Sequence, residues 1–226
     1  MTKRLAGGLF ITFEGTEGCG KTTQMEQLIA RLEREGFHVT RTAEPGGTSI
    51  GRQVRRILLD SKNGGLDPTA ELLLYFASRA QNVAEVIRPA LEDGSVVVCD
   101  RFTDSTEVYQ GAGRGLGSDT VRALHRIACG PLEPDVTIYL DIHLETGLDR
   151  AHARNRAAAA SSGPDESRMD NQALEFHRKV RAAYLALAER ERRRFRMIDA
   201  QGGIDDVAAA VWQAVHREVE ARTHRV

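Results

Sequence analysis

GTEGCGKT, residues Gly15–Thr22, is the stretch on which the reading of this chain turns. It fits the spacing GxxxxGK[ST], and its surroundings give that spacing meaning. The apolar run LFITFE (Leu9–Glu14) precedes it, and a segment with helical periodicity follows from Lys21. Glycines let backbone N–H groups turn inward around phosphate oxygens, and the helix N-terminus adds the positive end of its dipole. In such a loop Lys21 reaches the β- and γ-phosphates of a nucleoside triphosphate, and the Thr22 hydroxyl is offered to Mg²⁺. The expected triphosphate-binding set is Gly15, Thr16, Glu17, Gly18, Cys19, Gly20, Lys21, Thr22 and Thr23. An ordinary glycine turn before a helix would need neither the lysine nor the threonine.

Outward from the loop, short apolar runs alternate with longer segments of helical period, the pattern of a parallel sheet covered by helices on both faces. Strands are expected near Leu9 to Glu14, Phe37 to Ala43, Ser95 to Cys99, Asp135 to Asp141 and Phe195 to Asp199. Helices are expected over Lys21 to Glu35, Thr48 to Leu59, Thr69 to Glu92, Ser118 to Cys129, Leu144 to Arg156, Asn171 to Arg193 and Asp205 to Arg222. The fold class is therefore α/β, a P-loop NTPase fold with a five-stranded parallel sheet. One domain is expected over residues 1–226, with a short lid at about 154–168, because AAAASSGPDE (Ala157 to Glu166) is small, loop-like and flanked by arginines.

The run SVVVCDR ends a second buried strand in Asp100. An acidic residue at the carboxyl end of a parallel strand lies beside the phosphate loop, where it joins Thr22 as the expected Mg²⁺ pair. By itself an acid after a strand is usually a solvated turn; the phosphate loop changes that weighting. Composition agrees with a globular chain: 41% hydrophobic, 28% charged, 5% aromatic. With 31 Lys and Arg against 32 Asp and Glu, the formal net charge of −1 leaves no global footprint for a nucleic-acid polymer. Three widely spaced cysteines, Cys19, Cys99 and Cys129, suit neither a disulfide framework nor a zinc site and point to the cytoplasm. The N-terminal apolar run leads straight into the glycine loop and reads as a strand rather than a signal, and no later run approaches the roughly 18 apolar residues of a membrane span.

Triphosphate binding leaves the purpose open, since GTPases, motor ATPases and small-molecule kinases share these two motifs. Four further stretches narrow it: AEPGGT (Ala43 to Thr48), LLYFASRAQ (Leu73 to Gln81), DRFTDSTEVYQGAGRG (Asp100 to Gly115) and FHRKVRAAYL (Phe176 to Leu185). With them the chain resembles thymidylate kinase nearly end to end. The resemblance implies transfer of the γ-phosphoryl of ATP to dTMP with Mg²⁺, with these small nucleotides as the expected partners, in a cytoplasmic homodimer.

Site roles follow from that resemblance. Arg55 and Arg101 match the cations at the acceptor's phosphate, where planar guanidinium groups give bidentate contacts. For Arg55 the plainer alternative is a solvated helix face shared with Arg52 and Arg56. Tyr75 stands where the family has Phe against the pyrimidine; Phe76 is its neighbour, about 100° away around a helix, and one of them stacks while the other packs. Arg79 matches the donor to the thymine carbonyl. Ser105, Thr106, Tyr109 and Gln110 fall where the base edge and the sugar 2′ position are read, with Tyr109 the candidate to exclude a ribose hydroxyl. Pro45 belongs to the loop against the acceptor, and Glu17 matches an acid near its phosphate or 3′-hydroxyl. The phosphate loop carries no arginine, so Arg154, Arg156 and Arg168 around the lid are the candidates to meet the transferring phosphoryl group beside Lys21, Arg101 and Glu17.

The chain departs from the family at Ala43, where an Arg is usual, at Tyr75, and at Ser167, where Asp usually precedes the arginine. Two other functions remain open at this level: a kinase for another pyrimidine monophosphate, and a nucleotide-binding regulator that has lost turnover. The run RERRRFR (Arg190 to Arg196) reads as a solvated helix end.

Overall fold

In the computed structural model the described residues are 2–161 and 164–223. Five parallel strands form one sheet in the order β2-β3-β1-β4-β5: β1 (Leu9–Glu14), β2 (Val39–Ala43), β3 (Val96–Asp100), β4 (Val136–Asp141) and β5 (Phe195–Asp199). The chain crosses between β2 and β3 on one side of β1 and between β4 and β5 on the other. The loop after β1 therefore opens at the point where strand order reverses, which is where open α/β sheets bind ligands. Register brings Phe13 of β1 beside Asp100, and Ala43 of β2 beside Asp100 as well, so all these loops leave from one edge.

Alternation along the strands divides the molecule. Leu9, Ile11 and Phe13, with Val96, Val98, Val136, Ile138 and Leu140, pack in one cluster with α1 (Lys21–Arg34) and α9 (Ile204–Thr223). On the other face Phe10, Val97 and Cys99 meet Val83, Ile87 and Phe102. Each such fully buried aliphatic or aromatic side chain contributes about 1.5–3 kcal/mol. The same parity turns Thr12, Thr137 and Glu14 toward that second face, and all three are fully buried. Buried polar residues need partners, and these have them: the Thr12 and Thr137 hydroxyls are hydrogen-bonded to each other at 3.0 Å, and Glu14 accepts from the Phe102 N–H and Tyr184 Oη.

Four more helices need naming: α2 (Ser49–Leu59), α3 (Pro68–Asn82), α4 (Arg88–Glu92) and α5 (Thr103–Thr106). The long helix expected over Thr69 to Glu92 is interrupted by a wide turn at Val83–Ile87. Pro89 has no N–H to return to the carbonyl four residues back, and the ladder widens just before it. Residues 103–113, for which the sequence suggested no element, form α5 and then a second wide turn, Glu107–Gly113. The remaining helices are α6 (Ser118–Cys129), α7 (Leu144–Ala160) and α8 (Leu174–Arg190). α7 outruns its expected end at Arg156 because the run Ala157–Ala160 is the best helix former available. Ser162 and Gly163, part of the expected loop, lie outside the described residues. α8 stops at Arg190 rather than Arg193, and Arg194 is no solvated helix end: it forks onto Asp104 at 2.6 and 2.7 Å with 17% of its side chain exposed.

Candidate active site

The phosphate loop leaves β1 at Gly15 and enters α1 at Lys21. Lys21 Nζ donates to the carbonyls of Gly15 and Thr16, both at 3.1 Å, and lies 3.6 Å from Cys19 Sγ. The loop thus folds back over its own lysine. Gly18 has φ +66°, and a Cβ there would collide with the Gly147 backbone, so the loop packs directly on the start of α7. That contact fixes the helix carrying Arg150, Arg154 and Arg156 relative to the loop.

One cleft of about 1170 Å³ runs past these parts. At one end it is lined by Ala200, Gly202, Ile204 and Val207; in the middle by Glu17, Lys21, Thr22, Thr23, Asp100 and Arg101; at the other end by Pro45, Tyr75, Arg79, Tyr109 and Gln110. Arg55, Arg150, Arg154 and Arg156 also face it, as do Gly18, Cys19, Gly20, Ser105 and Thr106. Gly15, Thr16 and Arg168 do not line it. Tyr75 faces the cleft while Phe76 is 4% exposed and packs with Leu72 and Val121, which separates the two aromatics.

Arg101 is the one non-glycine residue with positive φ among those described, at +68°. That conformation costs about 1–3 kcal/mol and persists only where the surroundings over-determine it. Here its N–H donates to the Phe13 carbonyl at 2.9 Å, and its carbonyl accepts from Cys99 Sγ at 3.0 Å. Its guanidinium donates to Ser105 Oγ at 2.9 Å and lies over the Tyr109 ring, 5.0 Å from the centroid. Ser105 Oγ donates in turn to Glu14, whose carboxylate also accepts from Tyr184 Oη at 2.7 Å and from the Phe102 N–H at 2.8 Å. Burial, with Asp104 nearby, pushes Glu14 up to about 7. Ser105 therefore orients Arg101 and is not free to read a base. Thr106 accepts from Arg79 Nη2 at 2.9 Å, which leaves its own O–H as a donor in the lining of the cleft.

Glu17 sits where three elements meet. Tyr109 Oη donates to its Oε1 at 2.6 Å, Arg101 Nη2 is 3.7 Å from the same oxygen, and His177 Nδ1 of α8 is 3.3 Å from Oε2. Burial raises its pKa, but His177, Arg101 and Tyr109 together outweigh burial and hold it down at about 2. Tyr109, buried and beside Glu17, has its phenol pushed well up and stays protonated as a donor.

Arg79 is 1% exposed; it pairs with Glu44, donates from Nη2 to the Phe102 carbonyl at 3.1 Å, and has Nη1 without a partner among the described residues. Arg55 forks onto Glu166 at 2.8 and 2.6 Å and donates to the Pro45 carbonyl at 3.0 Å. Arg154 Nη2 donates to Asp170 at 2.8 Å with 60% of its side chain exposed. Gln110 donates to Glu71 at 2.7 Å. Arg168 differs from the expectation placed on it: only 3% of its side chain is exposed, it donates to Glu71 at 2.7 Å and to the Leu58 carbonyl, and it does not line the cleft. Its place in the lid sequence hid a core ion pair. Glu14, Glu166, His177 and Tyr184 were not singled out from sequence because each acts through a partner far along the chain, while Asp170, which pairs with Arg154, and Arg150, which lines the cleft, belong to no recognised motif.

Among the described residues no cluster of three or more His, Cys, Asp or Glu could hold a metal alone. The oxygen donors Thr22 and Asp100 fit a hard cation that shares its coordination with phosphates, and Asp100 Oδ1 is buried without a hydrogen-bond partner among the described residues.

A glycine loop holding its lysine, an acid at the end of the neighbouring strand and a cleft lined by arginines define a P-loop nucleotide-binding protein built for phosphoryl groups. The chain belongs to the thymidylate kinase family: the family model of that description matches residues 13–211. A thymidylate kinase of Solidesulfovibrio magneticus is 53% identical over 207 residues, covering 92% of this chain and 98% of the relative. One of Pelobacter propionicus is 50% identical over 204 residues, covering 90% and 92%. The crystal structure of thymidylate kinase from Ehrlichia chaffeensis aligns with a TM-score of 0.74 at 31% identity, covering 92% of this chain and 99% of that one.

Proposed function

We propose that the protein transfers the γ-phosphoryl group of ATP to dTMP, giving ADP and dTDP. The observation that carries this is a single cleft joining the phosphate loop to an aromatic and arginine-lined end, with cations between. An oxygen of the acceptor's phosphate attacks the γ-phosphorus as the bond to the β,γ-bridging oxygen breaks, and ADP leaves with that oxygen. No covalent enzyme intermediate is needed, so catalysis is placement and charge.

In this reading the loop from Gly15 to Thr23 cradles the donor, and Lys21 turns from its own loop carbonyls to the phosphates. Arg55 and Arg101 hold the acceptor phosphate, with Pro45 alongside. Tyr75 stacks on the base, Arg79 donates to its carbonyl from a fork set by Glu44 and Thr106, and Gln110 closes that end. Tyr109 crowds the sugar 2′ position, fixed by its bond to Glu17. Arg154 meets the transferring group, with Arg150 and Arg156 beside it. Thr22 and Asp100 would hold Mg²⁺, which supplies neutralisation of the phosphates when bound.

The chain forms one kinase domain whose lid spans the end of α7 and residues 164–168. A homodimer is supported by exposed Ile50 and Ile57 on α2, Leu73 on α3 and Ile127 on α6, helices that adjoin one another. Three free buried cysteines suit the cytoplasm, and no helix among the described residues is long and apolar enough to cross a membrane.

The test is ADP release with ATP and Mg²⁺ against dTMP, dUMP, UMP, CMP and AMP. Strong preference for dTMP over the ribonucleotides is expected, and folded Lys21→Ala and Arg101→Ala should each nearly abolish turnover. Release with UMP or CMP alone would overturn the acceptor assignment; no release with any acceptor would favour a regulator.

A further inference from the structure

We propose that His177 is a positioning residue of the acceptor site: from α8 it holds Glu17, and through Glu17 the Tyr109 hydroxyl and Arg101, in the arrangement that admits a deoxyribonucleotide. The inference rests on the proposed function and assigns a residue the motifs did not single out.

His177 is fully buried, one turn inside α8, next to Phe176 and near the apolar cluster of Met169, Val180 and Tyr184. Burying an imidazole in such company is costly unless it is partnered, and an apolar side chain of similar size would pack as well. Its side-chain partner is Glu17 Oε2 at 3.3 Å. Neither ring nitrogen, nor Glu17 Oε2, has a hydrogen-bond partner among the described residues, so this contact is a buried ion-pair approach. The two oxygens of Glu17 are thus divided: Oε2 faces His177, while Oε1 takes the Tyr109 hydroxyl at 2.6 Å. Rotation of the carboxylate would release Tyr109, whose ring is otherwise steadied by Arg101 above it and by Phe176 and Tyr184 at its edges.

Charge supports the same role. Glu17 lines the cleft close to Arg101, where an incoming phosphate dianion would meet its negative charge. Burial alone would keep the imidazole neutral, but Glu17 raises the His177 pKa above its ordinary value. The imidazole, whose charged form Glu17 favours, faces the carboxylate from α8, outside the lining of the cleft.

The test compares the wild type, His177→Phe and His177→Asn in the full chain, each alone and with Glu17→Gln. Phe keeps the ring and removes the nitrogens; Asn keeps an N–H donor near the Nδ1 position. Thermal unfolding is measured alongside steady-state kinetics with dTMP and UMP at saturating ATP. For His177→Phe we expect the dTMP KM to rise about tenfold while the ATP KM stays within about twofold. The dTMP-to-UMP ratio of kcat/KM should fall about fivefold, with Asn recovering most of both losses. In the Glu17→Gln background the Phe change should add less than about twofold. A folded His177→Phe protein with unchanged dTMP KM and UMP discrimination overturns the proposal, as does an equal loss for ATP and dTMP. If His177→Phe does not fold, His177→Leu, which also removes both nitrogens, takes its place: a folded protein whose loss is as large with Glu17→Gln as without it overturns the proposal. A wild type that phosphorylates UMP or CMP but not dTMP overturns the proposed function first, and this inference with it.

Discussion

Replacing Arg168 with alanine should lower the melting temperature and leave the chemistry of the folded fraction near wild type, whereas Arg154→Ala should do the reverse. Arg168 is almost wholly buried against Glu71, itself fully buried, and also donates to the Leu58 carbonyl. Breaking a buried ion pair from one side costs about 3–5 kcal/mol, because the other charge is left in the core. Glu71 keeps its bonds from Gln110 at 2.7 Å and Arg114 at 3.2 Å, which places the loss at the lower end, about 3 kcal/mol. For a chain of this length that is about 6–12 °C in Tm. Arg154 has one hydrogen bond, to Asp170, and a side chain 60% exposed, so its removal should change stability by less than about 1 kcal/mol. Its loss should cost about a thousandfold in kcat if it meets the transferring phosphoryl group. Thermal denaturation followed by circular dichroism, with ADP release measured well below either midpoint, separates the two. An Arg168→Ala protein that melts like wild type and loses about a thousandfold in kcat would refute the reasoning.

Arg55 is forked onto Glu166, so Glu166→Gln should free the guanidinium and lower the dTMP KM about threefold, while Arg55→Ala raises it at least about tenfold; steady-state kinetics with unchanged KM for Glu166→Gln would sink this. Glu14 is raised from 4.5 to about 7 by burial and by Asp104, so its folded form holds the proton more tightly than the unfolded chain. Stability from that proton is complete below about 4.5 and is lost as pH rises through about 7, so the Tm advantage of Glu14→Gln over wild type should grow between them. A pH-independent difference in melting scans would contradict it. Tyr75 lines the cleft and its hydroxyl has no hydrogen-bond partner among the described residues, so Tyr75→Phe should keep the dTMP KM within about twofold and Tyr75→Ala should raise it about tenfold, as kinetics with dTMP would show.

The sheet and the phosphate loop were legible because their signals are local: β1 and β5 run over the residues their apolar pattern marks, and GTEGCGKT carries its own geometry. What surrounds the loop was less so. The Ala157–Ala160 run was read as a loop from its small residues, although alanine favours helix and α7 continues through it. The glycine-rich stretch after Arg101 hid α5 and the wide turn that aims Tyr109 and Gln110 inward. The carboxylates that organise the arginines were invisible for a simpler reason. Arg55 meets Glu166 across 111 residues, Arg168 meets Glu71 across 97 and Tyr184 meets Glu14 across 170, and no local pattern encodes such pairings.

Every arginine singled out on the acceptor side is already paired with a carboxylate, and the pairs differ in how deeply they lie. Arg79 and Glu44 are both 1% exposed, so neither can leave the other without stranding a charge in the core. Arg55 and Glu166 are 34% and 36% exposed, and Arg154 is 60% exposed against Asp170, where water already takes part of the load. Exposure therefore sorts these pairs into one that is fixed and two that can exchange. The fixed fork suits a neutral base edge, which must be read without rearrangement; the exchangeable pairs suit phosphates, which bring the negative charge that replaces the carboxylate. On the proposed function, acceptor binding at Arg55 would be an exchange of one anion for another on the same guanidinium. Its affinity would then be a difference between two similar interactions, one of them the fork that Arg55 already makes on Glu166.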